Sequence, residues 1–415
     1  MSGREGDARL LARARAVIPG GVFGHRRSFA FAGGVARGLP EHYPHFLRAA
    51  EGCRVVDADG RAYIDLLCGY GPMIAGYRHA GIDRAFAAAQ AAGVAYSLPS
   101  AVEVELAERL VARVPGSAWA AFSLSGTSSV DLALTIARAA TGRDGIVVAE
   151  GAWHGNHATL AVGAGRSAAD RQRSAWVPWG DLDALSAALR REPVAAVLFC
   201  PYDQQVGATN HLPAPGFWRE VRARCDERGA LLVLDDIRAG LRLDPGGAAA
   251  HFGIDADLVC LSKALANGYP AAATLGTDRL RGAAQEVFVS GTFWGFAPAL
   301  AAALATLDLL DAAACERLAA TGARLGAGIR GLAAARGIDV EISGPAALPL
   351  VRFADDPDFD LACAFAEGLA RRGVLAHPTH NWFVSLAHDD AAIDAALAAA
   401  AGALDELGGA AERRP

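Results

Sequence analysis

The chain has 415 residues, of which 53% are hydrophobic and 20% are charged, and it carries a formal net charge of −6. This length predicts a large domain and a smaller one, and the composition is typical of a soluble globular protein. The acidic balance and the scattered arginines argue against nucleic acid or an anionic membrane as a general partner.

The seven cysteines show no spacing that is typical of a metal site or a disulfide framework. Their odd number and apolar surroundings fit reduced thiols. The N-terminal residues are charged and contain no uninterrupted apolar core, so they do not resemble a secretory signal. No apolar run reaches the length of a membrane span. The sequence therefore predicts a cytoplasmic protein without a metal site.

The first elements form a small N-terminal unit. A short amphipathic helix is predicted over residues 8–18. Residues 54–57 and 62–65 alternate as a hairpin around an Asp-Gly turn. The irregular loop at 69–72 then offers Tyr70 to a ligand, and the alternative is a simple linker with a tyrosine in the core.

Strands and helices alternate from about residue 80 to 300. The strands are short, continuous and apolar, which is typical of a sheet covered by helices on both faces. We therefore predict a mostly parallel α/β sheet. Its strands are expected at 120–124, 145–149, 195–200, 231–234, 258–261 and 271–275, and its helices at 82–93, 101–113, 127–140, 181–190 and 215–228.

The remaining chain is predicted to form a separate α+β unit. Helices are expected at 295–311, 313–336, 359–372 and 390–406, and strands at 338–342, 348–353 and 382–386. The predicted division is therefore an N-terminal part of the small domain over 1–79, a large domain over 80–300 and a C-terminal small-domain part over 301–415.

Lys263 is the only lysine among the 39 basic residues of the chain. It follows the apolar strand at 258–261, at the carboxyl end where open α/β sheets bind their ligands. Lysine, unlike arginine, can lose its proton when partly buried and attack a carbonyl to form a Schiff base. A surface lysine without a role is the alternative, but a chain that otherwise uses arginine favours a lysine needed as an amine.

Asp235 and Asp236 end the strand that begins at residue 231. A buried carboxylate needs a paired charge or hydrogen bonds. This position suits a ligand with a cationic ring nitrogen, such as the pyridinium of pyridoxal phosphate. The alternatives are that the two carboxylates cap a helix or bind Mg²⁺.

Two further stretches can contact a cofactor. The turn of Ser125, Gly126 and Thr127 joins a strand to a helix, so its N–H groups and hydroxyls can hold a phosphate at the positive helix end. Plain helix capping explains the same residues. After the next strand, Trp153 can stack on a cofactor ring and His154 can contact its edge. The alternative for the tryptophan is packing.

Together these runs resemble the class III aminotransferases of pyridoxal phosphate fold type I, and most closely the glutamate-1-semialdehyde aminomutases, over nearly the whole chain. The resemblance implies a large domain with a seven-stranded, mostly parallel sheet and a smaller α+β domain built from both termini. It also implies pyridoxal 5′-phosphate as cofactor and a homodimer with a shared active site. The matching runs are 16–21, 57–65, 125–127, 153–155, 235–242, 262–263, 291–293 and 383–388.

By this resemblance, Lys263 holds the cofactor as a Schiff base and later acts as the general base. Asp235 pairs with the pyridine nitrogen. The phosphate is held by the turn at 125–127, and Trp153 and Ile237 pack on the two faces of the ring.

The resemblance also implies residues further from the ring. Thr292 is similar to the family residue that reaches the phosphate of the neighbouring subunit. Arg27 is similar to the arginine that receives the substrate carboxylate in the aminomutases, although its neighbour Arg26 fits the same position. Tyr70 and His380 are expected on the substrate side.

The substrate side departs from the aminomutase pattern. His380 stands where that pattern has an acidic residue, and Leu124 and Ser128 stand where it has Asn and Glu. No arginine occurs over 378–388, where other class III aminotransferases bind a carboxylate. The sequence predicts an aminotransferase acting on a small amine, amino acid or aminoaldehyde. The alternative is an aminomutase, an epimerase or a carbon–carbon bond-forming enzyme on the same scaffold.

Overall fold

The computed structural model describes residues 5–22, 28–30, 36–38, 43–157, 159–160, 172–191 and 193–411. Arg27, which was expected to receive a substrate carboxylate, lies outside these residues, as does Arg26.

The N-terminal segment contributes one helix and five short strands. The strands β1 and β2 pair antiparallel, and β3, β4 and β5 form an antiparallel meander. The predicted hairpin is confirmed, since it corresponds to β4 and β5. The elements are α1 (Glu5–Val17), β1 (Ser28–Ala30), β2 (Ala36–Gly38), β3 (Leu47–Glu51), β4 (Arg54–Asp57) and β5 (Ala62–Asp65).

The middle of the chain alternates helices and strands as predicted. Its helices are α2 (Ala80–Ala92), α3 (Ala101–Arg113), α4 (Gly126–Thr141), α5 (Leu182–Arg191), α6 (Phe217–Arg228), α7 (Gly247–Phe252) and α8 (Arg281–Glu286). Its strands are β6 (Trp119–Ser123), β7 (Gly145–Ala149), β8 (Ser174–Val177), β9 (Val194–Phe199), β10 (Leu231–Asp235), β11 (Leu258–Leu261) and β12 (Ala272–Gly276). The sequence did not predict β8 or the short helices α7 and α8.

These seven strands form one sheet in the order β6, β12, β11, β10, β9, β7, β8. Strand β12 runs antiparallel to both of its neighbours, and the other pairs are parallel. Every residue of β7, β9, β10, β11 and β12 is buried, as expected of central strands with helices on both faces. The carboxyl ends of β9, β10 and β11 therefore meet at one edge of the sheet.

The C-terminal segment returns to the N-terminal strands. Its elements are α9 (Ala297–Leu307), α10 (Ala312–Ala334), β13 (Val340–Ser343), β14 (Leu350–Phe353), α11 (Asp360–Arg371), β15 (Val374–Leu375) and α12 (Asp390–Ala411). Strand β15 pairs parallel with β5, so the two ends of the chain share the four-stranded sheet β15, β5, β4, β3. This pairing agrees with a smaller unit built from both termini. The boundaries at 79/80 and 300/301 stay predictions.

The strand predicted at 382–386 is wrong. The N–H groups of Trp382, Phe383 and Leu386 donate to three separate carbonyls, at distances of 2.7, 2.8 and 2.8 Å. Those carbonyls belong to Pro349, Leu66 and Ile74. A strand needs a ladder with one partner. This apolar run is instead a buried loop whose N–H groups form hydrogen bonds with three separate segments of the chain.

Among the described residues, no single helix is long and apolar enough to span a membrane. The helices α9 and α10 meet those criteria only as a pair that is bent by 81°. All seven cysteines are free thiols, and six of them are buried.

Candidate active site

A cavity of about 170 Å³ opens at the carboxyl edge of the central sheet. Seven residues singled out from the sequence line it, although they come from four separate segments. A larger cleft of about 1090 Å³ lies elsewhere and shares none of these residues. The lining residues of the smaller cavity are Ser125, Gly126, Thr127, Trp153, Gly155, Gln204, Asp235, Ile237, Arg238, Ser262 and Lys263.

Lys263 begins a short 3₁₀ turn directly after β11 and has a φ of 47°. The turn is held to the sheet because Ser262 Oγ donates a hydrogen bond to the carbonyl of Ala271 at 2.9 Å. The pKa of Lys263 is lowered to about 7, chiefly by burial and also by the positive charge of Arg238, while the charge of Asp235 opposes the shift. A large fraction of the amine is therefore neutral near pH 7, which is the form that attacks a carbonyl.

Asp235 is the last residue of β10 and is 4% exposed. Its Oδ2 lies 2.8 Å from Nδ1 of His154, and its Oδ1 accepts the N–H of Ile237 at 3.2 Å. Because an ionised carboxylate can only accept, we assign the imidazole proton to Nδ1. His154 was expected at the edge of a cofactor, but it lies outside the cavity lining, buried against Asp235.

Asp236 serves a different purpose from its neighbour. Its Oδ2 accepts the N–H of Ala248 at 2.7 Å, at the start of α7. Burial raises the pKa of Asp236 well above its usual value. Of the two carboxylates, only Asp235 lines the cavity. Asp236 caps the start of α7, which was one of the alternatives that the sequence left open.

His154, Cys200 and Asp235 each offer a ligand atom within 4.8 Å of the others, which invites comparison with a metal site. Burial raises the pKa of Cys200 well above its usual value, so the thiol stays protonated. Nδ1 of His154 and Oδ2 of Asp235 lie 2.8 Å apart and are engaged with each other in a hydrogen bond. The three side chains therefore form an imidazole–carboxylate pair beside a buried thiol.

The helix α4 begins at the cavity. Ser125 caps it, with Oγ accepting the N–H of Ser128 at 3.3 Å while Ser128 Oγ accepts the N–H of Ser125 at 3.1 Å. The first N–H groups of a helix have no partner within it and carry partial positive charge. Gly126 and Thr127 begin α4 and line the cavity, so this end of the helix suits an anion.

Two apolar side chains line the cavity, Trp153 and Ile237. Trp153 is 56% exposed, and Ile237 lies against Gly126. A Cβ added to Gly126 would lie 2.7 Å from Cδ1 of Ile237. A planar ring with a basic nitrogen and an attached phosphate fits these features, since Asp235 would pair with the nitrogen and the start of α4 would hold the phosphate.

Tyr70 and His380 lie together but do not line this cavity. The Tyr70 ring meets the ring of His380 edge-on at 5.5 Å and that of His377 at 5.9 Å. Burial lowers the pKa of His380 well below its usual value, and the charge of Arg238 adds to this effect. His380 is therefore neutral near pH 7. Thr292 is exposed and also lies outside the lining.

The sequence suggested no role for four of the lining residues, which are Gly155, Gln204, Arg238 and Ser262. Arg238 belongs to the matching run 235–242, but the sequence pattern did not indicate that its side chain lines the cavity. Gln204 follows β9 by five residues, at the same sheet edge as Asp235 and Lys263. A polar residue after a parallel strand next to β10 was the signal that could have identified it.

Comparisons with known proteins agree on the family. The model of the family "Aminotransferase class-III" matches residues 37–404. The aminopentol aminotransferase of Sphingopyxis macrogoltabida is 40% identical over 383 residues, covering 91% of this chain and 89% of that protein. The glutamate-1-semialdehyde 2,1-aminomutase of Roseiflexus castenholzii is 34% identical, covering 97% and 98%.

A solved structure gives the same answer for the fold. The structure of the PLP internal aldimine form of the FumI protein of Sphingopyxis sp. MTA144 superimposes with a TM-score of 0.94 at 38% identity, covering 99% of this chain and 98% of that one. The fold is that of the pyridoxal phosphate-dependent transferases of fold type I, as predicted. The chain belongs to the class III aminotransferase family. Membership alone does not choose between the aminotransferase and aminomutase activities of its relatives.

Proposed function

We propose that this protein is a pyridoxal 5′-phosphate-dependent aminotransferase whose amino donor is a primary amine. The observation that carries the proposal is the position of Lys263. The only lysine of the chain lies in one cavity with a buried carboxylate and a helix N-terminus, and burial lowers its pKa to about 7.

Each part of the cofactor has a counterpart in the cavity. Lys263 is the amine that would hold the aldehyde, and Asp235 would accept a hydrogen bond from the protonated ring nitrogen. The start of α4, at Gly126 and Thr127, binds the phosphate with its N–H groups. Trp153 and Ile237 hold the ring between them.

When bound, pyridoxal phosphate supplies an aldehyde that condenses with amines and an electron-poor ring that accepts the electron pair of a broken C–H bond. Lys263 takes up the proton from the substrate carbon and delivers it again, which its low pKa permits near neutrality. Asp235 keeps a proton on the ring nitrogen. His154 holds the carboxylate in place by its hydrogen bond of 2.8 Å.

Two observations favour an aminotransferase over an aminomutase. The relative at 40% identity is named as an aminotransferase, whereas the aminomutase relative is at 34%. His380 stands where the aminomutase pattern has an acidic residue. Burial and the charge of Arg238 lower the pKa of His380, so that the imidazole is neutral near pH 7. The alternative stays an aminomutase on the same scaffold.

An aromatic cluster outside the cavity lining favours an amine that carries hydroxyl groups. It consists of Tyr70, His377 and His380. Burial holds the pKa of His380 well below its usual value, and the charges of Arg238 and Lys263 help to lower it. We infer that such a cluster accommodates the alkyl chain and hydroxyls of a substrate that extends beyond the cavity. The relative named for aminopentol is consistent with this class, and we propose an aliphatic amino alcohol as donor.

Reduction of the holoenzyme with borohydride, followed by peptide mass mapping, tests the core proposal. Label at Lys263 is expected, together with loss of the visible cofactor band in Lys263→Ala and Lys263→Arg. An unlabelled Lys263 would refute the covalent bond. Amines are then screened for bleaching of the band. Bleaching with release of a free carbonyl product indicates an aminotransferase, and bleaching without it favours the aminomutase.

A second subunit is part of the proposal. Thr292 is exposed and does not line the cavity of its own chain. Exposed apolar side chains flank it, with Phe288 94% and Phe293 57% exposed. We infer that this segment packs on a second copy and that Thr292 contacts the phosphate there.

Complementation tests the shared site. Lys263→Ala dimers and Thr292→Glu dimers are each expected to be inactive, the second because a carboxylate repels the phosphate. In a mixed dimer, one active site then carries both changes and the other carries neither. The mixed dimer should therefore have about half of the activity of a wild-type dimer. If Thr292 served its own chain, every mixed site would carry one change and no activity would return.

A further inference from the structure

Arg238 and Gln204 form a polar corner of the active-site cavity that the roles above do not use. Both residues line the cavity with Lys263, and they are 7% and 3% exposed. Arg238 Nη1 donates to the backbone carbonyl of Gln204 at 3.0 Å and reaches Oδ1 of Asn381 at 3.5 Å. A guanidinium has five N–H donors, so most of those on Arg238 have no partner among the described residues.

Arg238 also lacks an ion-pair partner among the described residues. Within the described ranges, no carboxylate forms an ion pair with it, and Asp235, the acidic residue of the same cavity, is engaged by His154. A buried cation normally pairs with an opposite charge, because desolvation is costly otherwise. An unpaired guanidinium on a cavity wall suits an anion that enters and leaves with each turnover.

Gln204 supplies a second, independent indication. Its Nε2 is buried and has no hydrogen-bond partner among the residues that the structure describes. An unmade hydrogen bond of a buried donor is destabilising. The terminal torsion of a glutamine turns easily, so the amide can meet a ligand beside Arg238. An arginine fork with a neighbouring N–H donor is the arrangement that recognises a carboxylate.

Resting on the proposed aminotransferase activity, we propose that Arg238 and Gln204 form a carboxylate-binding subsite that admits a 2-oxo acid as amino acceptor. An aminotransferase takes its donor and its acceptor in turn at one cavity. A donor without a carboxylate leaves Arg238 unpaired, whereas the oxo acid pairs with it. The segment over 378–388 contains no arginine for this task.

Binding is measured first, without turnover. The holoenzyme is titrated with propionate and with propionamide, and the visible cofactor band reports occupancy. Propionate should bind more tightly than its uncharged amide. Arg238→Gln should weaken propionate about 30-fold, Arg238→Lys less because it keeps the charge, and Gln204→Leu about fivefold. The exposed Arg190 provides the matched control, since Arg190→Gln removes a charge that does not line the cavity.

The two half-reactions are then measured separately by stopped flow, with an amino alcohol as donor and pyruvate as acceptor. In Arg238→Gln the acceptor half-reaction should fall about 30-fold more than the donor half-reaction. Equal losses in both halves, or unchanged propionate affinity, would overturn the subsite and assign Arg238 to the cofactor. Failure of the proposed function differs from this outcome, because the wild-type protein itself would then show no band or no bleaching.

Discussion

His154 and Asp235 form a buried hydrogen bond, with 2.8 Å between Nδ1 of the imidazole and Oδ2 of the carboxylate. The side chains are 0% and 5% exposed. Among the described residues, the Asp235 carboxylate accepts hydrogen bonds only from this imidazole and from the N–H of Ile237. The orientation of the group that meets the cofactor nitrogen therefore depends on His154, which itself does not line the cavity.

Replacement of His154 by phenylalanine keeps a ring in place but removes the donor. A hydrogen bond to a charged group contributes about 1.5–3 kcal/mol, so we expect turnover to fall roughly 10- to 150-fold while the cofactor stays bound. Steady-state rates and the visible band measure the two quantities. His157→Phe removes a similar contact, 2.8 Å from Asp131, outside the cavity lining and should leave turnover much less affected. Wild-type turnover in His154→Phe would contradict the role.

The stability of the cofactor-free protein should depend on the charge of Lys263. Its pKa is lowered to about 7 in the folded state, against about 10.4 in an unfolded chain. The unfolded state thus binds more protons between these values, and stability rises with pH through that window. Lys263→Met should therefore stabilise the protein most below about pH 7, by about 4–5 kcal/mol for a pKa difference of about 3.4, and little above about pH 10.

Urea unfolding of both cofactor-free proteins on either side of the window checks this expectation. The difference between the two proteins isolates Lys263 from other titrating groups, including His380. A stability difference that grew with rising pH would have the wrong sign and would refute the lowered pKa.

Gly126 is expected to tolerate no side chain. An added Cβ would lie 2.7 Å from Cδ1 of Ile237 and 3.0 Å from its Cγ2. Overpacking of this kind costs about 1–3 kcal/mol, so Gly126→Ala should weaken cofactor binding by roughly tenfold or more. Adding Ile237→Val removes the Cδ1 contact and should restore part of the affinity.

The control for Gly126 is Gly331 in α10, where an added Cβ meets nothing within 4 Å. Gly331→Ala should leave cofactor affinity unchanged and stabilise the helix slightly. Equilibrium dialysis of the cofactor provides the measurement. Equal affinity in Gly126→Ala and the wild type would show that the start of α4 does not approach Ile237 as described.

Arg242 connects three parts of the chain from a fully buried position. It donates to the carbonyls of Gly71 and Val384, and its guanidinium lies 5.3 Å from the ring centroid of Phe383. Arg242→Met leaves two buried carbonyls without these donors, and we expect a loss of about 2–5 kcal/mol in the free energy of unfolding. Urea and thermal unfolding measure this loss. Arg190→Met, on the surface, should change stability by less than about 0.5 kcal/mol.

Local patterns were sufficient for much of the architecture. The apolar runs at 145–149 and 258–261 form strands with the predicted bounds. Continuous apolar strands separated by amphipathic helices indicate a covered parallel sheet, because that is the arrangement that buries both faces of such strands. The exceptional use of one lysine marked Lys263 without any knowledge of the fold. The run at 382–386 misled because a buried loop and a buried strand have the same composition.

The sequence alone determined the parts of the site that lie next to one another in the chain: a lone lysine after a strand, an acid at the end of another, and a small polar turn before a helix. The tertiary structure decided which side chains meet. It separated Asp235 from Asp236, put His154 behind the carboxylate, brought Arg238 to Gln204 and left Thr292 outside the cavity. These outcomes depend on the strand order and on the paths of loops far apart in sequence, which local periodicity does not encode.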